Sequence, residues 1–170
     1  ILETPFYKVK FDNAGRIVSL WDKEAHREIV KEGYFSNSLY TAEDIPVCWD
    51  AWDINSDYRD KIQNEENLLS SKVIEDGPLM HVIRHEYKIG KKSSLIQDII
   101  FYTKNRRIDF KTEVDWREKH TLLKAGFYFN ILAEEFKNEI QFGHVDRPLH
   151  QNTSWDRAKF EVCAHKWVDV

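Results

Sequence analysis

The chain has 170 residues, 42% of them hydrophobic and 32% charged, with a formal net charge of −4; that is length enough for one domain with a hydrophobic core. The slightly acidic balance gives no electrostatic case for nucleic acid or an anionic membrane surface, and no stretch approaches the ~18 apolar residues of a spanning helix. Two unpatterned cysteines, Cys48 and Cys163, suit a reducing cytoplasm in which they act as small hydrophobes. Ile1 opens straight into a strand-like pattern with no signal-peptide regions. A start without Met and an end on Lys166-Trp167-Val168-Asp169-Val170 suggest a piece of a longer protein.

The dominant period is two. Residues 6–11 alternate, Asp12-Asn13-Ala14-Gly15 forms a turn, and residues 16–21 continue as a second strand, since Asn, Asp and Gly tolerate the left-handed backbone of a hairpin turn. Residues 22–28 make a polar turn, and residues 42–67 form a long irregular stretch, which in a β domain is usually functional or contacts something. Strands follow at 69–75, 79–89, 94–103 and 106–116, separated by Asp76-Gly77-Pro78, Gly90-Lys91-Lys92 and Lys104-Asn105. Ile108, Phe110, Thr112, Val114 and Trp116 share one face against Asp109, Lys111, Glu113 and Asp115, the pattern of a half-buried antiparallel strand. Residues 122–132 read as a further aromatic-rich strand, and residues 157–167 as a last one. The basic pairs Lys91-Lys92 and Arg106-Arg107 read as solvated turn tips. His81 and His85 fall on one face of one strand and read as an edge or semi-exposed pair. No long helical pattern appears, so the fold class is all-β and antiparallel, with an aromatic sheet-on-sheet core.

Three constellations could carry chemistry. In Trp49-Asp50-Ala51-Trp52-Asp53, two Trp faces and two carboxylates suit sugar C–H surfaces and hydroxyls; alternatively the Trp residues plug the sandwich edge and the Asp residues cap turns. Asp50 and Asp53 as a glycosidase pair would be unusual, because one loop would have to supply both flanks of the scissile bond. His144, Asp146 and His150 offer metal-ligand chemistry, with residues 144 and 146 on one strand face, but Pro148 bends the chain away from a preset triad. Arg147 and His150 suit hydrogen bonds at an interface or cleft edge. The chain has no Gly-rich phosphate loop, no Ser nucleophile elbow and no CxxC.

The run Phe142-Gly143-His144-Val145-Asp146-Arg147-Pro148, with His150, Asn152-Thr153-Ser154-Trp155-Asp156 and residues 158–167, resembles a signature of family 38 glycoside hydrolases, the α-mannosidases, in their cytosolic and bacterial branch. Residues 49–54 resemble a second motif of that branch, and residues 6–24 the strand pair that begins its β domain. Leu149 stands where Thr is usual. The resemblance covers essentially the whole chain. It implies a β-supersandwich of the galactose mutarotase type, a single domain over residues 1–170, belonging to a retaining, zinc-dependent α-mannosidase of the cytoplasm. In that family zinc and the nucleophile sit on a separate catalytic barrel. The resemblance therefore implies no catalytic residue and no metal here, with the remaining domains and mannose-containing glycans as partners. Trp49, Asp50, Asp53, Arg147, His150 and Asn152 are the candidates for the sugar cleft or a domain interface. Two competing readings stay open: an autonomous carbohydrate-binding module, and a mutarotase-like enzyme, which needs a His and a Glu facing one concave sheet.

Overall fold

The opening segments pair through their alternating apolar positions. In the computed structural model, which describes residues 1–50 and 52–170, β1 (Leu2–Glu3), β2 (Tyr7–Phe11), β3 (Ile17–Asp22) and β4 (Arg27–Glu28) form a four-stranded sheet in that order. Val9 and Leu20 face each other across the β2–β3 ladder, and both are buried. Two further sheets follow. One combines β5 (Ser38–Glu43), β6 (Gln63–Asn64) and β11 (Thr121–Gly126) in the order β11-β5-β6; a 3-10 turn, Ser56–Lys61, precedes β6. The other has the order β10-β9-β8-β7, from β7 (Leu68–Asp76), β8 (Met80–Ile89), β9 (Ser93–Tyr102) and β10 (Ile108–Asp115). All neighbours are antiparallel, and the fold class is the expected one. The chain divides into two compact units, Ile1–Asn130 and Ile131–Val170, so these three sheets belong to the first.

In the first unit the large sheet is the shared wall. Its inner face carries Ile83, His85, Tyr87 and Ile89 from β8, opposite Ile99, Gln97, Leu95 and Ser93 from β9, and all are buried. Tyr7, Val9, Ile17, Leu20 and Val30 cluster with Ile99 and Phe101. Leu39 clusters with Tyr87, Ile89 and Leu95. Each fully buried aliphatic or aromatic side chain contributes about 1.5–3 kcal/mol by removal from water, and the clusters fix which sheet faces which.

Polar pins cross between the sheets. The two smaller sheets meet at a bridge between Ile17 and Ser36. Beside it, Asn37 Nδ2 donates to Gln97 Oε1 at 2.7 Å, and Gln97 Nε2 donates to Thr112 Oγ1 at 3.0 Å. Tyr87 OH donates to the Ala14 carbonyl at 3.1 Å and lies 3.2 Å from His85 Nδ1. Because the phenol proton goes to Ala14, His85 must carry its own proton on Nδ1, which leaves its Nε2 buried without a partner. Gly15 lies at φ +78°, and a Cβ there would collide with the Tyr87 hydroxyl and the His85 ring, so this turn requires glycine. A third pin is Asp22, which accepts from the Glu24 and Ala25 backbone at 2.9 and 3.0 Å and pairs with Arg106.

Several sequence expectations need correction. His85 is 0% exposed, and its strand, flanked by β7 and β9, is not an edge. Arg106 is not a free tip: it binds Asp22 and Glu24, and its carbonyl accepts from Tyr7 OH at 3.0 Å. Lys91 and Lys92 do have exposed side chains, while their backbone N–H groups are held by Glu118. Cys48 and Cys163 are both exposed, not packed as small hydrophobes. The strand expected at 122–132 stops at Gly126, because the backbone then changes partners: Phe129 bridges Val30, and Asn130 N donates to the Ile29 carbonyl at 2.7 Å. On β10 the alternation is as read, but only its start is half-buried; Val114 is 40% exposed.

The second unit contains β12 (Glu135–Ile140), β13 (Gly143–Pro148), α1 (Ser154–Ala158) and β14 (Val168–Asp169), with sheet order β13-β12-β14. Residues 157–167 are not a strand. Thr153 starts a helix with a capping box, its hydroxyl accepting from Asp156 N at 3.1 Å while Asp156 Oδ2 accepts from Thr153 N at 3.0 Å. Two local donors are thereby satisfied without any strand partner. Among the described residues of this unit no apolar side chain is buried, and Asn138 is the buried polar one.

Candidate functional site

The six candidate residues fall three on each unit. In the first unit, the Trp49 carbonyl accepts from Trp52 N at 2.7 Å and Asp53 N at 2.9 Å. That tight turn puts Trp49 at φ 64°, a conformation costing an L-residue roughly 1–2 kcal/mol. It displays both indoles, with Trp49 73% and Trp52 91% exposed. Neither ring plugs a sheet edge in this unit. Asp53 does act as a turn cap, accepting from Ile54 N at 2.9 Å. Ala51 lies outside the described residues. Asp50 is exposed and borders a groove of about 370 Å³ with Asp44, Trp116, Glu118, Lys119 and His120. His120 is itself at φ 50°. Glu118 Oε1 accepts from Lys91 N, Lys92 N and Ser93 Oγ at 3.1, 2.6 and 3.0 Å. These donors, the Lys92 amide foremost, hold its carboxyl below the usual range.

In the second unit, β13 presents Val145 and Arg147 on one face and His144 and Asp146 on the other. His144 Nε2 lies 3.7 Å from Asp146 Oδ1, which also takes Lys137 Nζ at 2.9 Å. Lys137 holds the Asp146 carboxyl low. His150 does not join that pair; its Nδ1 lies 3.6 Å from Asp156 Oδ2. Thr153, through its hydroxyl and its backbone amide, holds Asp156 low. Among the described residues no three His, Cys, Asp or Glu side chains converge on a point that could hold a metal ion, so the donor set does not fit a zinc site.

Arg147 and His150 do come together around a pocket of about 270 Å³, with Phe136, Lys159 and Phe160 in its wall. Arg147 Nε is buried there without a hydrogen-bond partner. Asn152 is exposed just before the helix cap and is not part of the wall. Sequence reasoning missed Lys159, because residues 157–167 read as a strand, and it missed Phe136, which arrives from a different strand with no local signal. It also missed Trp116 and His120, which reach the groove of the first unit through the turn after β10.

On the large sheet, His85 and Glu86 do not supply the His and Glu of a mutarotase-like arrangement. His85 faces the inner side of the large sheet but is fully enclosed, and Glu86 points to the opposite face. Burial pushes the His85 imidazole below its ordinary value of 6.5 and the Tyr87 phenol upward.

Residues 2–170 match the family described as glycosyl hydrolases family 38 C-terminal domain. The chain is 40% identical to alpha-mannosidase G of Dictyostelium discoideum over 180 residues, covering 100% of the chain and 16% of that protein. It is 36% identical to human alpha-mannosidase 2C1, over 99% of the chain and 16% of that protein. With the alpha-mannosidase of Saccharomyces cerevisiae it shares 33% identity over 79% of the chain and 13% of that protein. The chain thus spans about a sixth of the length of the first two curated relatives.

Proposed function

The chain belongs to glycosyl hydrolase family 38, through its C-terminal domain, and on that premise we propose that it is a non-catalytic β domain of a longer α-mannosidase. The whole protein would be a retaining, zinc-dependent enzyme of the cytoplasm that removes terminal α-linked mannose from glycans. The observation that carries this reading is the end-to-end match of the chain to 16% of the length of two α-mannosidases. Zinc would belong to the catalytic domain of that whole. Among the described residues no three His, Cys, Asp or Glu side chains gather to hold it, and no chemical step is assigned to this chain.

Within this reading the domain scaffolds the catalytic barrel and lines one rim of the sugar cleft. Trp49, Asp50 and Asp53 would serve from the first unit, Arg147, His150 and Asn152 from the second. The physical support is the turn at Trp49, where backbone strain holds two large indoles in water. Two large indoles exposed on one turn offer an apolar surface for a ligand or a neighbouring domain to cover. The same exposure favours a second reading, an autonomous mannoside-binding module.

One comparison tests both. An aryl α-mannoside is offered, with added zinc, to this chain and to the longer protein, and Trp fluorescence of the chain is followed during mannoside titration. Hydrolysis by the longer protein alone, with no quench in the chain, is the expected result. Saturable quenching lost in Trp49→Ala would establish the binding module instead, and zinc-dependent hydrolysis by this chain would overturn the non-catalytic assignment.

A further inference from the structure

We propose that the pocket in residues 136–162 binds a phosphate group, free or carried on a small organic body, through Arg147, Lys159 and His150. The first observation is an orphan. Arg147 Nε is buried beside the pocket with no acceptor, and buried charged donors are seldom left unpaired. A guanidinium offers a planar fork that matches two oxygens of a phosphate.

The second observation is the charge of the wall. Asp146 and Asp156 also border the pocket, and both are already engaged. Asp146 Oδ1 is paired with Lys137 Nζ at 2.9 Å. Asp156 Oδ2 accepts from Thr153 N and Oγ1 at 3.0 and 2.7 Å. Arg147 and Lys159 balance these two carboxylates in the wall, and Asp146 is already neutralised by Lys137 from outside it, so the Arg147 guanidinium keeps its capacity for an added anion.

The third observation is direction. Arg147 comes from β13, His150 from the loop after it, and Lys159 from the end of α1. A pocket lined by basic side chains from three elements can offer separate donors to the three terminal oxygens of a tetrahedral phosphate, with His150 Nδ1 3.6 Å from Asp156 Oδ2 in the same wall. The rest of the wall is Gln151 and apolar side chains, Phe136 and Phe160 among them, which suits the C–H surface of a carrier. A volume of about 270 Å³ fits a small ligand. The inference goes beyond the assignment as a mannosidase domain and does not depend on it: every residue named lies within this one unit, and the readout is binding, not hydrolysis.

The test titrates the whole chain with inorganic phosphate, mannose 6-phosphate and mannose by calorimetry. Saturable binding of the phosphate-bearing probes and none of mannose is expected. Lys159→Ala and His150→Asn should each weaken binding about tenfold, with circular dichroism unchanged, and Arg147→Gln should abolish it. Tighter binding of mannose 6-phosphate than of inorganic phosphate would place a carrier against Phe136 and Phe160. Equal binding would identify free phosphate as the ligand. The proposal fails if neither phosphate probe saturates below about 10 mM, if Lys159→Ala and His150→Asn bind as the parent chain does, or if mannose binds equally well.

Discussion

The two units solve the problem of stability differently. In the first, β8 and β9 run through the middle of a sheet and bury residues such as Ile89, Leu95, Ile99 and Phe101 to 1% exposure or less. In the second, β12 is equally central to its own sheet, yet its buried residue is Asn138, and Phe142 and Trp155 stand in solvent. Strand pairing alone therefore does not make a core; an apolar face must also be covered by another layer. Forty residues are also near the lower limit at which a chain can bury enough surface to hold itself together. Unit one is stabilised by side-chain packing. Unit two relies on backbone ladders, a capping box and salt bridges at its surface.

Substitutions can break this comparison, starting from the core. Phe101→Ala should cost about 3–5 kcal/mol by chemical denaturation, through lost transfer energy and the cavity left behind. A cost below about 1 kcal/mol would mean that the shared wall is not the centre of stability. Asp22→Ala comes next, at about 1–3 kcal/mol, because it strands the Glu24 and Ala25 amides and Arg106.

Two of the buried titratable groups, Asp22 and His85, add a pH signature. The Ala25 and Glu24 amides, with Arg106, hold the Asp22 carboxyl below its ordinary value of 3.8. Its contribution is full above that value and is lost as pH falls through the lower folded value. Desolvation depresses His85 below 6.5, so the folded unit refuses a proton that the unfolded chain accepts. Stability should therefore fall as pH drops below 6.5, and urea midpoints measured from pH 7.5 to 5.5 should flatten in His85→Gln. A slope unchanged in that variant would remove His85 from the account.

In the second unit the expected effects are smaller and local. Thr153→Ala should cost about 1 kcal/mol, seen as faster amide exchange around α1 and not as a shift of the main unfolding transition. Trp52→Ala should change the stability of this chain by no more than about 0.5 kcal/mol, since the ring is 91% exposed. A larger loss would mean that the indole packs against the unit.

Much of the first unit was legible because its strands alternate cleanly. The faces assigned to β8 and β10 follow directly from period two, and the Asp12–Gly15 turn from its residue types. Burial was less legible. An inward position reads the same whether the next layer covers it, as at His85, or leaves it open, as at Val114 in the same sheet. Residues 157–167 alternate like a strand although the Thr153–Asp156 capping box turns the chain into a helix just before them, and residues 122–132 read as one strand because a change of pairing partner leaves no mark on the pattern. At the sites, Arg147 and His150 were legible from their polar, turn-rich surroundings, while Phe136 and Lys159 were brought to them only by folding.

The cross-sheet pins also set an order of events in time. Ala14 waits for Tyr87, Tyr7 for Arg106 and Asp22 for the same Arg106, with separations of 73, 99 and 84 residues. A chain emerging from its N-terminus can thus form the β2–β3 hairpin early but cannot cover its inner face until residues beyond 100 have followed. Contacts of such range place the domain among the slower folders, on the millisecond-to-second scale, and leave its first sheet exposed to wrong partners throughout that interval.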